Sequence, residues 1–387
     1  MPTLRYLYAV GEHGSIAVYD IDHGHRLVKT ISTGRRIDDV RGVVASGVTG
    51  RLYVAYSTAD NIGKIYCLNI YDGRMLWNKA VPPGVDRLAV NPDGRLLYVP
   101  TGEDGTSDYI NVLDAATGNI VRQVKFSNRS HDASFPLSGP LFEETKAVDG
   151  SGRYLYLIDP SSYSISRIGP YAGVIGPYAV DGRSEYVVAD VRGLWGMQVA
   201  DIKTKRIVTA IVPDHQSGEA GLPHGIAWSP DEKEVWEDSG GVPHSSWERA
   251  QGGGRIPPGS GSLRTQREPA ARSQYYVYIW DMSSPMTPKL KERLELRRGV
   301  APHWVTFDIA GDYAYVSGNK NSNQPTEIFD ARTHAAAGTI RPSEDMLEID
   351  FADGKITGVG DQYGIGRVRR GTHVVAPASH LSRAGSR

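Results

Sequence analysis

The chain has 387 residues, a formal net charge of −1, 40% hydrophobic and 22% charged residues, and one cysteine. So balanced a charge offers no field to attract a phosphate backbone or an anionic lipid surface, which argues against nucleic acid as a partner. A single cysteine forbids an intrachain disulfide, and no run of about 18 apolar residues is present to form a membrane-spanning helix.

Strand sequence begins almost at once, with Arg5-Tyr-Leu-Tyr-Ala-Val and no secretory leader before it. A phrase of the same kind then returns as Arg51-Leu-Tyr-Val-Ala-Tyr, Arg95-Leu-Leu-Tyr-Val-Pro, Arg153-Tyr-Leu-Tyr-Leu-Ile, Glu185-Tyr-Val-Val-Ala-Asp and Asp312-Tyr-Ala-Tyr-Val-Ser. Repetition at a period in the forties, with four short strands (a to d) per unit, is the signature of propeller blades. The turns between strands a and b are Asn91-Pro-Asp-Gly, Asp149-Gly-Ser-Gly, Asp181-Gly, Ser229-Pro-Asp-Glu and Ala310-Gly-Asp, in which Pro fixes φ and Gly accepts the left-handed position. Strand c ends at Asp20, Asn69, Asp114, Asp201, Asp281 and Asp330, where a short polar side chain can close an Asx-turn into strand d. Cys67 lies within an alternating strand pattern and reads as a small buried hydrophobe.

The entrances to strand a align at Arg41, Asp86, Glu144, Pro177, His224, His303 and Leu347, which makes seven. The unit at residues 5–33 supplies b, c and d without an a-strand, and Leu347-Glu-Ile-Asp-Phe supplies the missing one. The expectation is an all-β, seven-bladed propeller of four-stranded antiparallel blades, closed by mixing strands from the two chain ends. The strand-like pieces Lys355-Ile-Thr-Gly-Val and Gly366-Arg-Val-Arg leave an eighth blade open. Residues 1–370 then form one domain.

Two stretches interrupt the rhythm. Residues 127–143 form a longer loop between blades 3 and 4 and carry His131, Pro136 and Pro140. Residues 239–273, between strands b and c of blade 6, hold seven Gly, four Pro and five Arg but only three of Val, Ile and Leu. So little apolar content cannot offset the entropy of ordering, so a disordered insertion is expected there, and a disordered tail over 371–387.

With the repeats aligned, the chain resembles the YVTN-type β-propeller repeat proteins, a group akin to the heavy subunit of quinoprotein amine dehydrogenases. Leu52-Tyr-Val-Ala, Leu97-Tyr-Val-Pro and Ala314-Tyr-Val-Ser carry the resemblance, with Pro-Asp-Gly before the second of these and Asp114-Ala-Ala-Thr-Gly-Asn and Asp330-Ala-Arg-Thr after the repeats. These are turn and core positions, so the likeness speaks to fold. It implies an exported bacterial protein, periplasmic or extracellular, whose leader is missing from this chain; the chain alone leaves a cytoplasmic home equally open. Related seven-bladed propellers include sugar-lactone hydrolases and the copper-holding domain of nitrous oxide reductase, and no residue pattern singles out either.

In a propeller the a-strand entrances ring one mouth of the central channel, where small-molecule sites form. Here that ring offers Arg41, Asp86, Glu144, His224 and His303, with His131 on the neighbouring long loop. Pro223-His and Pro302-His place an imidazole at the same point of consecutive repeats. One reading is that these histidines only bond backbone and fill the channel. A second brings His224 and His303 onto a divalent metal, with Asp86 or Glu144 opposite, where metal-bound water could attack an ester or lactone. A third uses a histidine as general base and Arg41 to hold a carboxylate. The leading expectation is a scaffold binding a small molecule or a protein at this mouth; a lactone or ester hydrolase and a metal-holding or electron-transfer accessory are the alternatives. Gly360-Asp-Gln-Tyr-Gly-Ile-Gly opens no helix and is a poor phosphate loop, the loop carrying His215 and Glu219 reads as solvated, and Glu344 and Asp345 read as a polar lead-in to the closing strand.

Overall fold

The recurring phrase is apolar at nearly every position because both faces of each blade are covered, so the usual inside/outside alternation is lost. Leu52 and Val54 turn towards the blade before, whereas Tyr53 and Ala55 turn towards the blade after. In the computed structural model one such apolar cluster fills the space between each pair of adjacent blades, all the way round the ring. The structure describes all residues except 1–2, 12–13, 34–36, 38, 59–61, 103–104, 193, 195, 213–222, 241–273, 298–300, 319–323, 363–368, 371–372 and 375–387.

Blade 1 takes β1 (Leu4–Val10), β2 (Ser15–Asp20) and β3 (Arg26–Ser32) from the N-terminus. Blade 2 is β4 (Asp39–Ser46), β5 (Arg51–Ser57), β6 (Gly63–Asn69) and β7 (Met75–Ala80). Blade 3 is β8 (Ala89–Val90), β9 (Leu96–Val99), β10 (Tyr109–Asp114) and β11 (Ile120–Lys125). Blade 4 is β12 (Ser130–Ser134), β13 (Leu141–Thr145), β14 (Leu155–Ile158) and β15 (Ile165–Ile168). Blade 5 is β16 (Ile175–Val180), β17 (Tyr186–Val191), β18 (Gly196–Asp201) and β19 (Arg206–Ile211). Blade 6 is β20 (Ile226–Trp228), β21 (Glu234–Asp238), β22 (Tyr276–Asp281) and β23 (Lys289–Glu295), and blade 7 is β24 (Pro302–Phe307), β25 (Tyr313–Gly318), β26 (Thr326–Asp330) and β27 (Ala336–Ile340). All pairings within the blades are antiparallel and in chain order.

The ring closes through β28 (Asp345–Ala352), which pairs with β1 from Leu4↔Phe351 to Val10↔Asp345. Blade 1 is therefore built from both chain ends, as expected. The piece at Lys355–Val359 does not start an eighth blade. It forms β29, a fifth strand on the inner side of β28, and Ile356, Val359 and Gly358 lie against Gly47 of blade 2 and Ile309 of blade 7. Arg369–Arg370 and His373–Val374 form a separate two-residue ladder, β30 and β31.

Blade 4 departs from the sequence reading. Its innermost strand is Ser130–Ser134, inside the stretch expected to be a loop, and Glu144 lies on the second strand rather than at an a-strand entrance. The Arg153 phrase is accordingly strand c, ending in an Asx-turn at Asp159, and Asp149-Gly-Ser-Gly joins b to c. Ser-His-Asp-Ala-Ser has neither branched nor aromatic side chains, so β-propensity could not reveal it. With His131 as the entrance, Arg41, Asp86, His131, Pro177 and His224 follow one another at 45, 45, 46 and 47 residues.

The Asx-turns form as expected. Asn69 Oδ1 accepts from the Tyr71 N–H at 2.8 Å, Asp114 Oδ1 from Thr117 at 2.8 Å, Asp201 Oδ1 from Thr204 at 2.6 Å and Asp281 Oδ1 from Ser283 at 2.9 Å. Cys67 is wholly buried, and desolvation pushes its thiol up to about 12. The insertion expected at 239–273 lies, beyond Gly240, outside the described residues, and so does the tail expected at 371–387 apart from β31. The loop carrying His215 and Glu219 is also outside them. Among the described residues no helix is long and apolar enough to cross a membrane.

The seam between blades 7 and 1 is bonded by Arg5 on β1. Its guanidinium donates to Glu348 at 3.0 Å, to Asp22 at 3.0 Å, to Asp312 at 3.1 Å and to the buried Asp308. Burial alone would depress the charge on Arg5, but Asp308 and Glu348 more than restore it. Replacing Arg5 by Ala strands two buried acids, and breaking such a pair costs about 3–5 kcal/mol. Urea denaturation of Arg5→Ala is expected to show a loss of that size, and an unchanged midpoint would mean that the seam is held by apolar packing alone.

Candidate functional site

Because each blade runs a, b, c, d antiparallel, the starts of all a-strands and the ends of all b-strands share one face of the ring. That face gathers the sequence-expected residues. It also gathers carboxylates at the ends of strand b: Glu143 and Glu144 on β13, Asp190 on β17, and Glu237 and Asp238 on β21. Side chains are re-aimed there by β-bulges. The a-strand register slips at Arg41 in blade 2, across His131 and Asp132 in blade 4, across Gly176 and Pro177 in blade 5 and at His303 in blade 7.

Three local groups make up the mouth. In the first, Arg41 on blade 2 grips Asp86 on blade 3 with two bonds, Nε to Oδ1 at 3.1 Å and Nη2 to Oδ2 at 2.6 Å. That fork faces Asp86, so the expected role of Arg41 as a clamp for a ligand carboxylate does not match its geometry. In the second, His131 Nδ1 lies 2.6 Å from Glu144 Oε1 and 3.3 Å from Asp132 Oδ1, while Lys146, with no exposed surface, pairs with Glu144. The third is the histidine pair. His224 and His303 stack with ring centroids 3.9 Å apart and planes 19° from parallel.

The His224 Nδ1–H donates to the His303 carbonyl at 2.8 Å, which fixes its tautomer and leaves Nε2 as the acceptor. Burial, then the neighbouring His303 and Arg87, hold the His224 imidazole well below its usual range, hence neutral. Asp238 accepts the Gly225 N–H at 3.0 Å and the His224 N–H at 3.4 Å. Gly225 is required there, since a Cβ would lie 2.4 Å from Asp238 Oδ2 and 2.7 Å from Trp304 Cα. His303 Nδ1 lies 2.9 Å from Glu344 Oε1, off the hydrogen-bonding direction. Glu344 is bound in turn by Arg87 at 2.6 Å, and the Arg87 guanidinium sits 3.9 Å above the Trp304 ring.

All six expected residues therefore lie at one mouth, as three pairs rather than one convergent set. Parallel stacking keeps the ring lone pairs of His224 and His303 side by side, so they do not aim at one point between them. The carboxylates beside them are Glu344 and Asp238, where Asp86 or Glu144 was expected. Glu344 and Asp345, read as a solvated lead-in, are buried. Arg87, Asp132, Glu143, Lys146, Asp190, Glu237 and Gln362 were not singled out by sequence reasoning. The one available signal was that strand b ends in an acid in Val-Val-Ala-Asp190 and in Val-Trp-Glu237-Asp238, opposite the entrances of strand a.

The segment after β29 is bonded to the inner strands of three blades. After β29 the chain continues along Glu348, where the Gly360 N–H donates to the Glu348 carbonyl at 2.7 Å, and the Asp361 carbonyl accepts from Thr306 Oγ1 at 3.0 Å. Gln362, fully buried, accepts the Val43 N–H on its side-chain oxygen and the Trp304 indole N–H on its carbonyl, and it donates to Asp345 Oδ1 at 3.1 Å. Gly360, Asp361 and Gln362 thus bridge blades 1, 2 and 7.

The electrostatics are one-sided. Among the described residues, Asp86, Asp132, Glu143, Glu144, Asp190, Glu237, Asp238, Glu344 and Asp345 are nine buried acids, against the cations Arg41, Arg87, Lys146 and Arg192. Burial pushes Glu143 and Asp190 well above the carboxylate range, and raises Asp132 and Glu144 despite their cationic neighbours. Asp238 is raised to about 6, chiefly by burial.

No family model matches this chain. A stretch of 108 residues is 34% identical to contactin-2 of Mus musculus and 35% identical to contactin-2 of Rattus norvegicus. Each match covers 27% of this chain, which spans about a tenth of the length of those proteins. Among solved structures, the chain is similar to hydrazine synthase of Kuenenia stuttgartiensis, with a TM-score of 0.61 and 15% identity over 84% of this chain and 96% of that one. It is similar to the dihydro-heme d1 dehydrogenase NirN, with a TM-score of 0.53 and 16% identity over 93% and 75%. The Cps50 β-propeller domain of Myceliophteria thermophila gives 0.54 and 11% over 82% and 95%. At these identities the likeness establishes a β-propeller fold and leaves the chemistry to the site.

The raised acids set the direction of the pH response. A carboxyl group whose folded pKa is raised binds more protons folded than unfolded, so its stabilisation is complete below the ordinary value and is lost as pH rises through the folded one. Asp238, at about 6, and Asp308, raised to about 7 by burial, both act this way from their ordinary 3.8 upwards. His224, held neutral, opposes them only below its ordinary 6.5. Between pH 6.5 and 8 the acids alone remain, so unfolding free energy from urea titrations is expected to fall across that window. A flat or rising profile would contradict the buried-acid assignment.

Proposed function

We propose that this protein is a binding propeller that takes a small, positively charged or hydrogen-bond-donating ligand at the mouth ringed by the a-strand entrances, without turning it over. The observation that carries this reading is the surplus, among the described residues, of nine buried acids over four cations at that mouth. The partly exposed His224 and His303 lie at that mouth, and the His303 side chain keeps 12% of its surface. A ligand bringing donors or positive charge would be matched by carboxylates that the fold leaves poorly compensated. The repeat phrase supports placing the chain among YVTN-type propellers and, with them, an exported home.

A second reading is favoured by one contact. Glu344 Oε1 lies 2.9 Å from His303 Nδ1, and a hydrogen bond tightened there on substrate binding would leave Nε2 as the acceptor, the arrangement of a general base for ester or lactone hydrolysis. Thermal unfolding with a panel of amines, amino sugars and dicarboxylates separates the two. Saturating amine or amino sugar is expected to stabilise the protein by roughly 2.7 kcal/mol at a hundredfold excess over Kd. Dicarboxylates should have no effect, and the double variant His224→Ala with His303→Ala should lose the response. Turnover of simple lactones by the wild type, lost in that variant, would replace the binding reading with the hydrolase.

A further inference from the structure

We propose that His131, Asp132 and Glu144 form a site for one divalent first-row transition-metal ion, set into blade 4 beside the mouth. Its acids are among the nine counted at the mouth, but the site is argued from its own geometry and goes beyond the binding reading. One ligand atom from each of the three residues lies within 4.8 Å of the other two, and all three side chains are buried. The bulge in β12 is what makes this possible. Consecutive strand residues normally point to opposite faces, but the register slip between Ser130 and Ala133 lets both His131 and Asp132 approach Glu144 on β13.

A second observation points to a ligand rather than to a closed ion-pair network. Glu143 has no exposed surface, and neither of its carboxylate oxygens has a hydrogen-bond partner among the described residues. Its strongest charged neighbours are Asp132 and Glu144. Asp132 Oδ1 and Glu144 Oε2 likewise lack hydrogen-bond donors. A wholly buried carboxyl with nothing to bind is costly, and it is the group that a cation would relieve.

The charges fit a divalent ion. Ionised, Asp132, Glu143 and Glu144 carry three negative charges, of which Lys146 on Glu144 offsets one. Arg87 is bound to Glu344 at 2.6 Å and stands 3.7 Å from Asp132, so it serves as an outer partner that holds the Asp132 carboxylate. Two negative charges remain for the ion. One imidazole nitrogen with two or three carboxylate oxygens suits Mn²⁺, Fe²⁺ or Zn²⁺ better than an all-oxygen Ca²⁺ site or a thiolate site.

The test uses the full chain, stripped with a chelator and titrated at pH 7.5 with MnCl₂, following loss of the free Mn²⁺ electron paramagnetic resonance signal, with Zn²⁺ as competitor. One equivalent of Mn²⁺ is expected to bind and to be displaced by Zn²⁺. Asp132→Asn should abolish saturable binding, and Glu143→Gln should weaken it about tenfold or more. His224→Ala should leave it within about twofold, which separates this site from the ligand mouth. Glu143→Gln replaces a buried carboxyl held neutral by burial with a neutral group of the same shape, so its metal-free unfolding midpoint should stay near that of the wild type; a loss of binding then reports the site and not the fold. Failure of the folded wild type to take up either ion, or uptake indifferent to Asp132→Asn and Glu143→Gln, would overturn the proposal.

Discussion

Closure of the ring is the constraint on which the rest of the molecule depends. Seven sheets can share their faces only if the first and last meet, and here they meet because β28, from the far end of the chain, pairs along the whole of β1. The pairing covers the two edges an open sheet would expose. It is locked laterally by Arg5, whose guanidinium ties blade 1 to acids of blade 7. Without that seam the a-strands would have no common axis, and residues from Arg41 to Glu344 would share no mouth.

Closure also concentrates charge. Each blade delivers the start of strand a and the end of strand b to the same face, and the bulges turn adjacent polar side chains inward. Polar groups that would be solvated in a single blade are thereby desolvated together. The fold tolerates this by pairing some of them, as in Arg41 with Asp86 and Arg87 with Glu344, and by holding others in the neutral form. An acid cluster of this kind is better explained by what it binds than by what it adds to stability, since buried ion pairs seldom repay their desolvation. Gln362 fits the same logic, because it satisfies the Val43 N–H and the Trp304 indole beside the cluster.

Much of this was legible in the residues. The apolar phrase, the Asx positions and the missing a-strand of the first unit gave the blade count and the mode of closure, because turn chemistry and strand composition are local properties. The site was legible only in part. His224 and His303 stand out because Pro-His recurs at equal register, but their stacking depends on the close approach of Gly225 to Trp304. Blade 4 was misread because Ser130-His-Asp-Ala-Ser has no strand signal of its own and is held in place by contacts to Arg87 and Glu144. Glu344 and Asp345 were set aside because a polar residue next to a turn is ordinarily solvated, and nothing local says that neighbouring blades will bury it.

The amino-acid sequence by itself determined an all-β ring of seven repeats, since strand period, turn residues and repeat length act within a few tens of residues. Only the tertiary structure decided which polar side chains meet, which of them lose their water and where the chain after β29 bonds to the inner strands. Those outcomes depend on distances between blades, set by how seven twisted sheets pack about one axis, and no stretch of sequence encodes such distances alone.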